Sequence, residues 1–122
     1  MPNPKGRILF TENDADTRDL LGLLLKLEGF EVIYTEAAEQ ALSLASTNQF
    51  DLYLLDNWAL GLAGEDLCRK LRECDPTTPI LFYSGTAHES DVAGAMAAGA
   101  QGYVVKPADS DELISQISFL IN

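Results

Sequence analysis

Polar side chains that could bind a cation or an anionic group follow four short apolar runs of the sequence. The acidic and amide side chains of Glu12–Asp14 follow the first run, and Asp56 ends another. Ser84 ends a further run, and Lys106 follows the last. Carboxylate and amide oxygens are ligands for hard divalent cations, whereas a hydroxyl and an ammonium group can contact a phosphoryl oxygen. These residue types therefore indicate chemistry that brings a cation and an anion together.

Five short runs have the length and composition of β-strands. They are Arg7–Thr11, Glu31–Tyr34, Leu52–Asp56, Ile80–Ser84 and Tyr103–Val105. Between them, apolar residues recur at a spacing that places them on one face of a helix. The sets that share a face are Leu20, Leu24 and Leu27; Ala38, Leu42 and Ala45; Leu67 and Leu71; and Leu113, Ile117 and Leu120.

Residues at the predicted helix ends agree with this alternation. Gly29 follows the first helix and Gly99 follows the alanine-rich fourth, where glycine suits a left-handed C-terminal cap. Asp109 and Glu112 resemble a capping box at the start of the last helix. Five βα units predict an α/β fold, a doubly wound parallel sheet between two layers of helices. Ligands of such sheets bind at the carboxyl ends of the strands, where the polar residues lie.

Length and composition narrow the class of protein. The 122 residues are expected to form a single domain, 1–122. A net charge of −11 argues against direct binding of nucleic acid, because a surface that follows phosphates needs excess Lys and Arg. No apolar run is long enough for a membrane span and no secretory signal is evident, so we expect no membrane association and a cytoplasmic location. Cys68 and Cys74 lack metal-ligand spacing and are expected to be free, one buried and one exposed.

Five stretches of the sequence resemble the receiver domain of two-component response regulators, the CheY-like family. They are Ile8–Asn13, Asp51–Asp56 followed by Gly61–Gly64, Pro79–Gly85, and Gly99–Pro107. They occur in the order and spacing of the family, and the resemblance extends from Lys5 to Asn122. It implies a flavodoxin-like sheet with strand order 2-1-3-4-5.

The resemblance also implies a role for each polar residue at the strand ends. Asp56 would accept a phosphoryl group from a histidine kinase or a phosphotransfer protein. Mg²⁺ would be bound by Glu12, Asn13, Asp56 and the backbone carbonyl of Trp58. Ser84 and Lys106 would contact phosphoryl oxygens. The domain would act as a signalling phosphoacceptor that catalyses only its own phosphorylation and dephosphorylation.

A switch is implied as well. Phosphate would draw Ser84 inward and allow Tyr103 to turn into the vacated space, although Tyr103 could equally be a static strand residue. The surface formed by the fourth helix, the fifth strand and the fifth helix (α4-β5-α5 in the numbering of the five βα units) would then change shape. A downstream protein or a second copy of the chain would bind there.

Two positions depart from the family pattern. Asn13 stands where the family usually has a second acid, so we expect weaker metal binding, because an amide carries no formal charge. Asp14 either compensates or serves as the N-cap of the first helix, and we favour the cap. Trp58 either shields the acyl phosphate from water or packs on its own loop or a partner.

Three other functions are alternatives to the phosphoacceptor. A pseudo-receiver that binds proteins without phosphorylation is favoured by Asn13. A flavin-binding protein would need a Ser/Thr/Gly-rich loop after the first strand, where the acidic Thr11–Asp16 lies instead. A haloacid-dehalogenase-like phosphatase would need an Asp two residues after Asp56, where Trp58 stands.

Overall fold

The structure is a computed structural model. The structure describes residues 5–56, 58–59, 62–85, 88–106 and 110–121, and of Trp58, Ala59 and Leu62 it describes the backbone alone. The strands are β1 (Arg7–Thr11), β2 (Glu31–Thr35), β3 (Leu52–Leu55), β4 (Trp58–Ala59), β5 (Leu62–Ala63), β6 (Ile80–Ser84) and β7 (Gly102–Val105). The helices are α1 (Ala15–Leu27), α2 (Ala38–Thr47), α3 (Gly64–Cys74), α4 (Glu89–Ala97) and α5 (Ser110–Ile121).

The five main strands form one parallel sheet of order β2-β1-β3-β6-β7. Counted along the chain, this is the predicted order 2-1-3-4-5. The predicted strands agree with the observed ones to within one residue at each end, and Asp56 is the first residue beyond β3. A short antiparallel pair, β4 with β5, lies between β3 and α3 and was not predicted.

The fold has three layers, because the sheet lies between two layers of helices. Two apolar clusters, one on each face of the sheet, join the layers. Leu21 and Leu25 of α1 pack with Leu113 and Ile117 of α5 on one face. Helices α2, α3 and α4 cover the other face. The strands contribute to both clusters. The central strand β3 is buried along its whole length, which explains why it is apolar without alternation.

The predicted face of α1 points the wrong way. Leu20 and Leu27 are 63% and 74% exposed, whereas Leu21 and Leu25 face the sheet. Leucines occur nearly all round this helix, so apolar spacing alone fits two faces. Gly22 decides between them, because a Cβ at this position would lie 2.3 Å from the Tyr34 hydroxyl. The glycine lets α1 approach β2 closely.

Other predictions about single residues can be compared directly. Gly29 and Gly99 have φ values of 101° and 114°, which confirms the left-handed caps. Cys68 is buried, Cys74 is exposed and both are free, as expected. Asp109 of the predicted capping box lies outside the described residues. No helix in the described part of the chain combines the length and apolarity needed to cross a bilayer.

Candidate functional site

The strand order brings the predicted site residues to one edge of the sheet. Strands β1 and β3 are neighbours, and the helices that follow them, α1 and α3, lie on opposite faces. This is the point of an open α/β sheet where ligands bind. The backbone carries Glu12 and Asp56 to this edge, since Asp56 N donates to Thr11 O at 3.1 Å. Lys106 N likewise donates to Ser84 O at 2.7 Å.

The carboxyl group of Glu12 is completely buried at this edge. Its Oε1 accepts a hydrogen bond from Lys106 Nζ at 2.5 Å. The same ammonium lies 3.5 Å from Asp56 Oδ1, so one cation serves two acidic side chains. Asp56 keeps 15% of its side chain exposed and is accessible to a small reactant.

Burial raises the pKa of Glu12 to about 7, and a hydrogen bond with Asp56 acts in the same direction. The nearby ammonium of Lys106 lowers this pKa but does not outweigh burial. Glu12 therefore keeps its proton to higher pH than an exposed glutamate does. Its second oxygen, Oε2, is buried and has no hydrogen-bond partner within the described structure. Such an atom is satisfied when a donor or a cation enters the site.

Asn13 and Asp14 differ in what they do. Asn13 is exposed at the edge of the site. Asp14 Oδ2 accepts from Thr17 N at 3.0 Å and from Thr17 Oγ1 at 2.5 Å, so Asp14 is the N-cap of α1. The expectation that Asp14 caps the helix is confirmed. Its carboxylate is thus occupied by Thr17 rather than directed toward Asp56.

Ser84 and Tyr103 lie in contact. Ser84 is fully buried at the end of β6, and its hydroxyl is hydrogen-bonded to that of Tyr103. The Tyr103 ring stacks on Phe82 with centroids 5.8 Å apart and planes 5° apart. Burial raises the pKa of Tyr103, and the Ser84 hydrogen bond partly opposes this. Tyr103 therefore already points toward Ser84, and its switching role stays a prediction.

The sequence analysis did not predict Tyr83 as a residue of the site. Lys106 Nζ lies 5.2 Å from the centroid of the Tyr83 ring, a cation–π contact that helps to fix the ammonium. Parallel pairing provides the signal that could have found it. Tyr83 pairs with Val104, two residues before Lys106, so both side chains are directed to the same face.

Of Trp58, the structure describes only the backbone. Its backbone lies in β4 and pairs with Ala63. Its side chain falls outside the described residues, so both proposed roles of the indole stay predictions.

Known proteins are similar to this chain in sequence and in architecture. The response regulator receiver domain family matches residues 8–118. The chain belongs to this family. The receiver domain is 35% identical over 115 residues to the cell cycle transcriptional regulator CtrA of Caulobacter vibrioides, with 94% of this chain and 50% of the relative covered. The chain thus spans about half the length of the curated relatives it matches.

Solved structures agree on the fold. A CheY-like response regulator receiver domain protein from Methanospirillum hungatei has a TM-score of 0.90 at 25% identity, covering 98% of this chain and 94% of that one. The receiver domain of the sensor histidine kinase PA1611 from Pseudomonas aeruginosa has a TM-score of 0.88 at 24% identity, covering 95% and 97%. The latter was solved with a magnesium ion in its active-site cleft. These likenesses confirm the fold, and the family match together with the curated relatives shows a response regulator receiver domain of two-component systems.

Replacing Lys106 by Met should destabilise the receiver domain more at pH 8.5 than at pH 6. Because folding raises the pKa of Glu12 from 4.5 to about 7, the fold favours its neutral form, and stability is lost as pH rises through about 7. Without the ammonium, the ionised and buried Glu12 loses its counter-ion, which we expect to cost roughly 1–3 kcal/mol more at the higher pH. Urea unfolding at both pH values measures the difference.

Lys70→Met is the matched control, since Lys70 is exposed on α3. It should change stability equally little at the two pH values. Equal losses for Lys106→Met at pH 6 and pH 8.5 would show that Lys106 does not stabilise ionised Glu12.

Proposed function

We propose that this receiver domain, as one unit spanning residues 1–122, accepts a phosphoryl group on Asp56 in a magnesium-dependent reaction. The observation that supports the proposal is the placement of Asp56 beside Lys106 and buried Glu12, at the switch point of the sheet. The donor is a phosphohistidine of a histidine kinase or phosphotransfer protein. The domain itself does not contact nucleic acid. That statement concerns the receiver domain alone, since the longer Caulobacter relative is named a transcriptional regulator.

The transfer uses the accessible carboxylate of Asp56 as nucleophile. An oxygen of Asp56 forms a bond to phosphorus while the bond from phosphorus to the donor nitrogen breaks, and that nitrogen keeps the bonding pair. Lys106, 3.5 Å from Asp56 before the reaction, stabilises the negative charge on the phosphoryl oxygens. Ser84 donates a hydrogen bond from its hydroxyl to another of these oxygens.

The oxygen ligands at this edge fit Mg²⁺. Glu12, Asn13, Asp56 and the Trp58 carbonyl would hold the cation, and the unpartnered Glu12 Oε2 is an oxygen suited to it, directly or through water. When bound, Mg²⁺ reduces the repulsion between the acceptor carboxylate and the phosphoryl group. No group of three His, Cys, Asp or Glu side chains able to hold a metal occurs among the described residues. Asn13 stands where the family usually has an acid, so the proposed ligand set contains two carboxylates, those of Glu12 and Asp56.

The signal passes through the Ser84 hydroxyl. This hydroxyl contacts Tyr103 in the present structure, and a phosphoryl oxygen on Asp56 would compete for its hydrogen bond. Rearrangement of the pair would alter the surface formed by α4, β7 and α5, which is the predicted α4-β5-α5 surface. A downstream protein or a second copy of the chain would respond to that surface.

A second candidate is the pseudo-receiver, which binds a partner without phosphorylation. Two observations favour it. Asn13 removes a charge from the metal site, and Lys106 already neutralises Glu12 without a metal. The two candidates differ in whether Asp56 reacts with a small phosphodonor.

Acetyl phosphate with Mg²⁺ should add one phosphoryl group to the receiver domain, and Asp56→Asn should abolish this addition. Intact-mass spectrometry gives the result directly. Asp66→Asn is the control, because Asp66 lies on the exposed surface of α3. Unlabelled wild-type protein would support the pseudo-receiver, and labelling that persists in Asp56→Asn would move the acceptor to another residue.

Asn13→Asp should tighten Mg²⁺ binding by roughly tenfold or more, because a formal charge replaces an amide dipole beside the cation. The affinity can be measured by calorimetry or by the fluorescence of Trp58, the only tryptophan. Gln40→Glu makes the same change in net charge on exposed α2 and should leave the affinity nearly unchanged. Unchanged or weaker binding in Asn13→Asp would show that other ligands hold the metal.

A further inference from the structure

Tyr83 occupies an unusual place in strand β6. Within this strand, all of which the structure describes, Tyr83 is half-buried while the other four residues are buried. Successive residues of a strand point to opposite faces, so the Tyr83 ring and the Ser84 hydroxyl lie on opposite sides of the sheet. The ring packs against the apolar cluster that α1 and α5 form with the strands. The end of β6 therefore supplies a hydroxyl to the site from one face and an aromatic ring from the other.

The Tyr83 ring is one of three groups that surround the Lys106 ammonium. Lys106 Nζ lies over the ring, 5.2 Å from its centroid. The same nitrogen lies 2.5 Å from Glu12 Oε1 and 3.5 Å from Asp56 Oδ1. The face of an aromatic ring attracts a cation at this distance. Only 20% of the Lys106 side chain is exposed, so water and salt screen this attraction less than they would on the open surface.

A restraint on Lys106 matters because its ammonium is carried by a flexible chain of four methylene groups. Fixing such a chain costs conformational entropy. In the proposed transfer, Lys106 must meet a phosphoryl oxygen on Asp56 instead of turning to solvent. A ring that restrains the lysine in the resting protein removes part of that cost before the reaction begins. An aliphatic residue at position 83 would fill the apolar space without attracting the cation.

We propose that Tyr83 is a positioning residue for phosphoryl transfer, whose ring holds the Lys106 ammonium beside Asp56. This inference rests on the proposed function. Tyr83 acts through Lys106 and forms no bond to the phosphoryl group. The contact uses the face of the ring and not the phenol oxygen, so phenylalanine should serve equally well and leucine should not.

The rate at which acetyl phosphate with Mg²⁺ labels Asp56, followed by intact mass, tests the role of the ring. Tyr83→Phe should react at the wild-type rate, whereas Tyr83→Leu should react about three- to tenfold more slowly. Replacement of Tyr83 by pentafluorophenylalanine should also slow the reaction, because fluorine withdraws electron density from the ring face. The fluorinated ring keeps an apolar group of similar shape, so a role in packing alone predicts no such loss.

Tyr34→Leu is the matched control. Lys26 Nζ lies 4.9 Å from the centroid of the Tyr34 ring, on the edge strand β2. The substitution thus removes a contact of the same kind at a different place in the fold. It should leave the rate of labelling unchanged.

Proton–carbon NMR of the metal-free protein follows the contact without phosphoryl transfer. The Lys106 ε-methylene signal, assigned with Lys106→Met, should show an upfield ring-current shift in the wild type and in Tyr83→Phe, and Tyr83→Leu should lose it. A wild-type labelling rate in Tyr83→Leu or with the fluorinated ring would overturn the inference, as would an ε-methylene signal that does not depend on residue 83. A wild type that takes no label would overturn the proposed function and the role in transfer, and the NMR signal would still show whether Tyr83 holds Lys106.

Discussion

Lys106 reaches from the end of β7 to the carboxyl group of Glu12 at the end of β1, and the organisation of the site depends on this contact. Burial of Glu12 disfavours its ionised form. The Lys106 ammonium favours the ionised form, whereas the hydrogen bond with Asp56 favours the protonated form. The contact forms because parallel pairing of β1, β3, β6 and β7 brings their carboxyl ends to one edge. The same ammonium lies beside Asp56, so the charge that stabilises the resting site is also available to a phosphoryl group.

This receiver domain departs from the usual family pattern in the residues that follow β1. The first acid, Glu12, is buried and paired with Lys106, while the second position is an exposed, uncharged Asn13. Asp14 does not replace the missing charge because it caps α1 through Thr17. A cation entering the site would thus meet Glu12 already neutralised by a lysine. In the proposed function, metal binding and the position of Lys106 are therefore coupled.

Local chemistry explains which features the sequence could predict. Strand bounds, the glycine caps and the meeting of Glu12, Asp56, Ser84 and Lys106 follow from composition, spacing and parallel topology. The sequence pattern did not predict which face of α1 is buried, because leucines occur on several faces of this helix. The tertiary contact between Gly22 and Tyr34 selects the buried face. The β4–β5 pair was missed because strands of two residues have no periodicity. The raised pKa of Glu12 depends on burial, which no local pattern specifies.

Carbon-13 NMR titration of the Glu12 side-chain carboxyl, assigned with Glu12→Gln, tests the central claim most directly. We predict an apparent pKa of about 7 in the metal-free protein. The value should rise further in Lys106→Met, which removes the counter-ion, and fall when Mg²⁺ is added, because a cation favours the ionised form. A Glu12 that titrates near the ordinary value of 4.5, and does so equally with and without Lys106, would contradict the account.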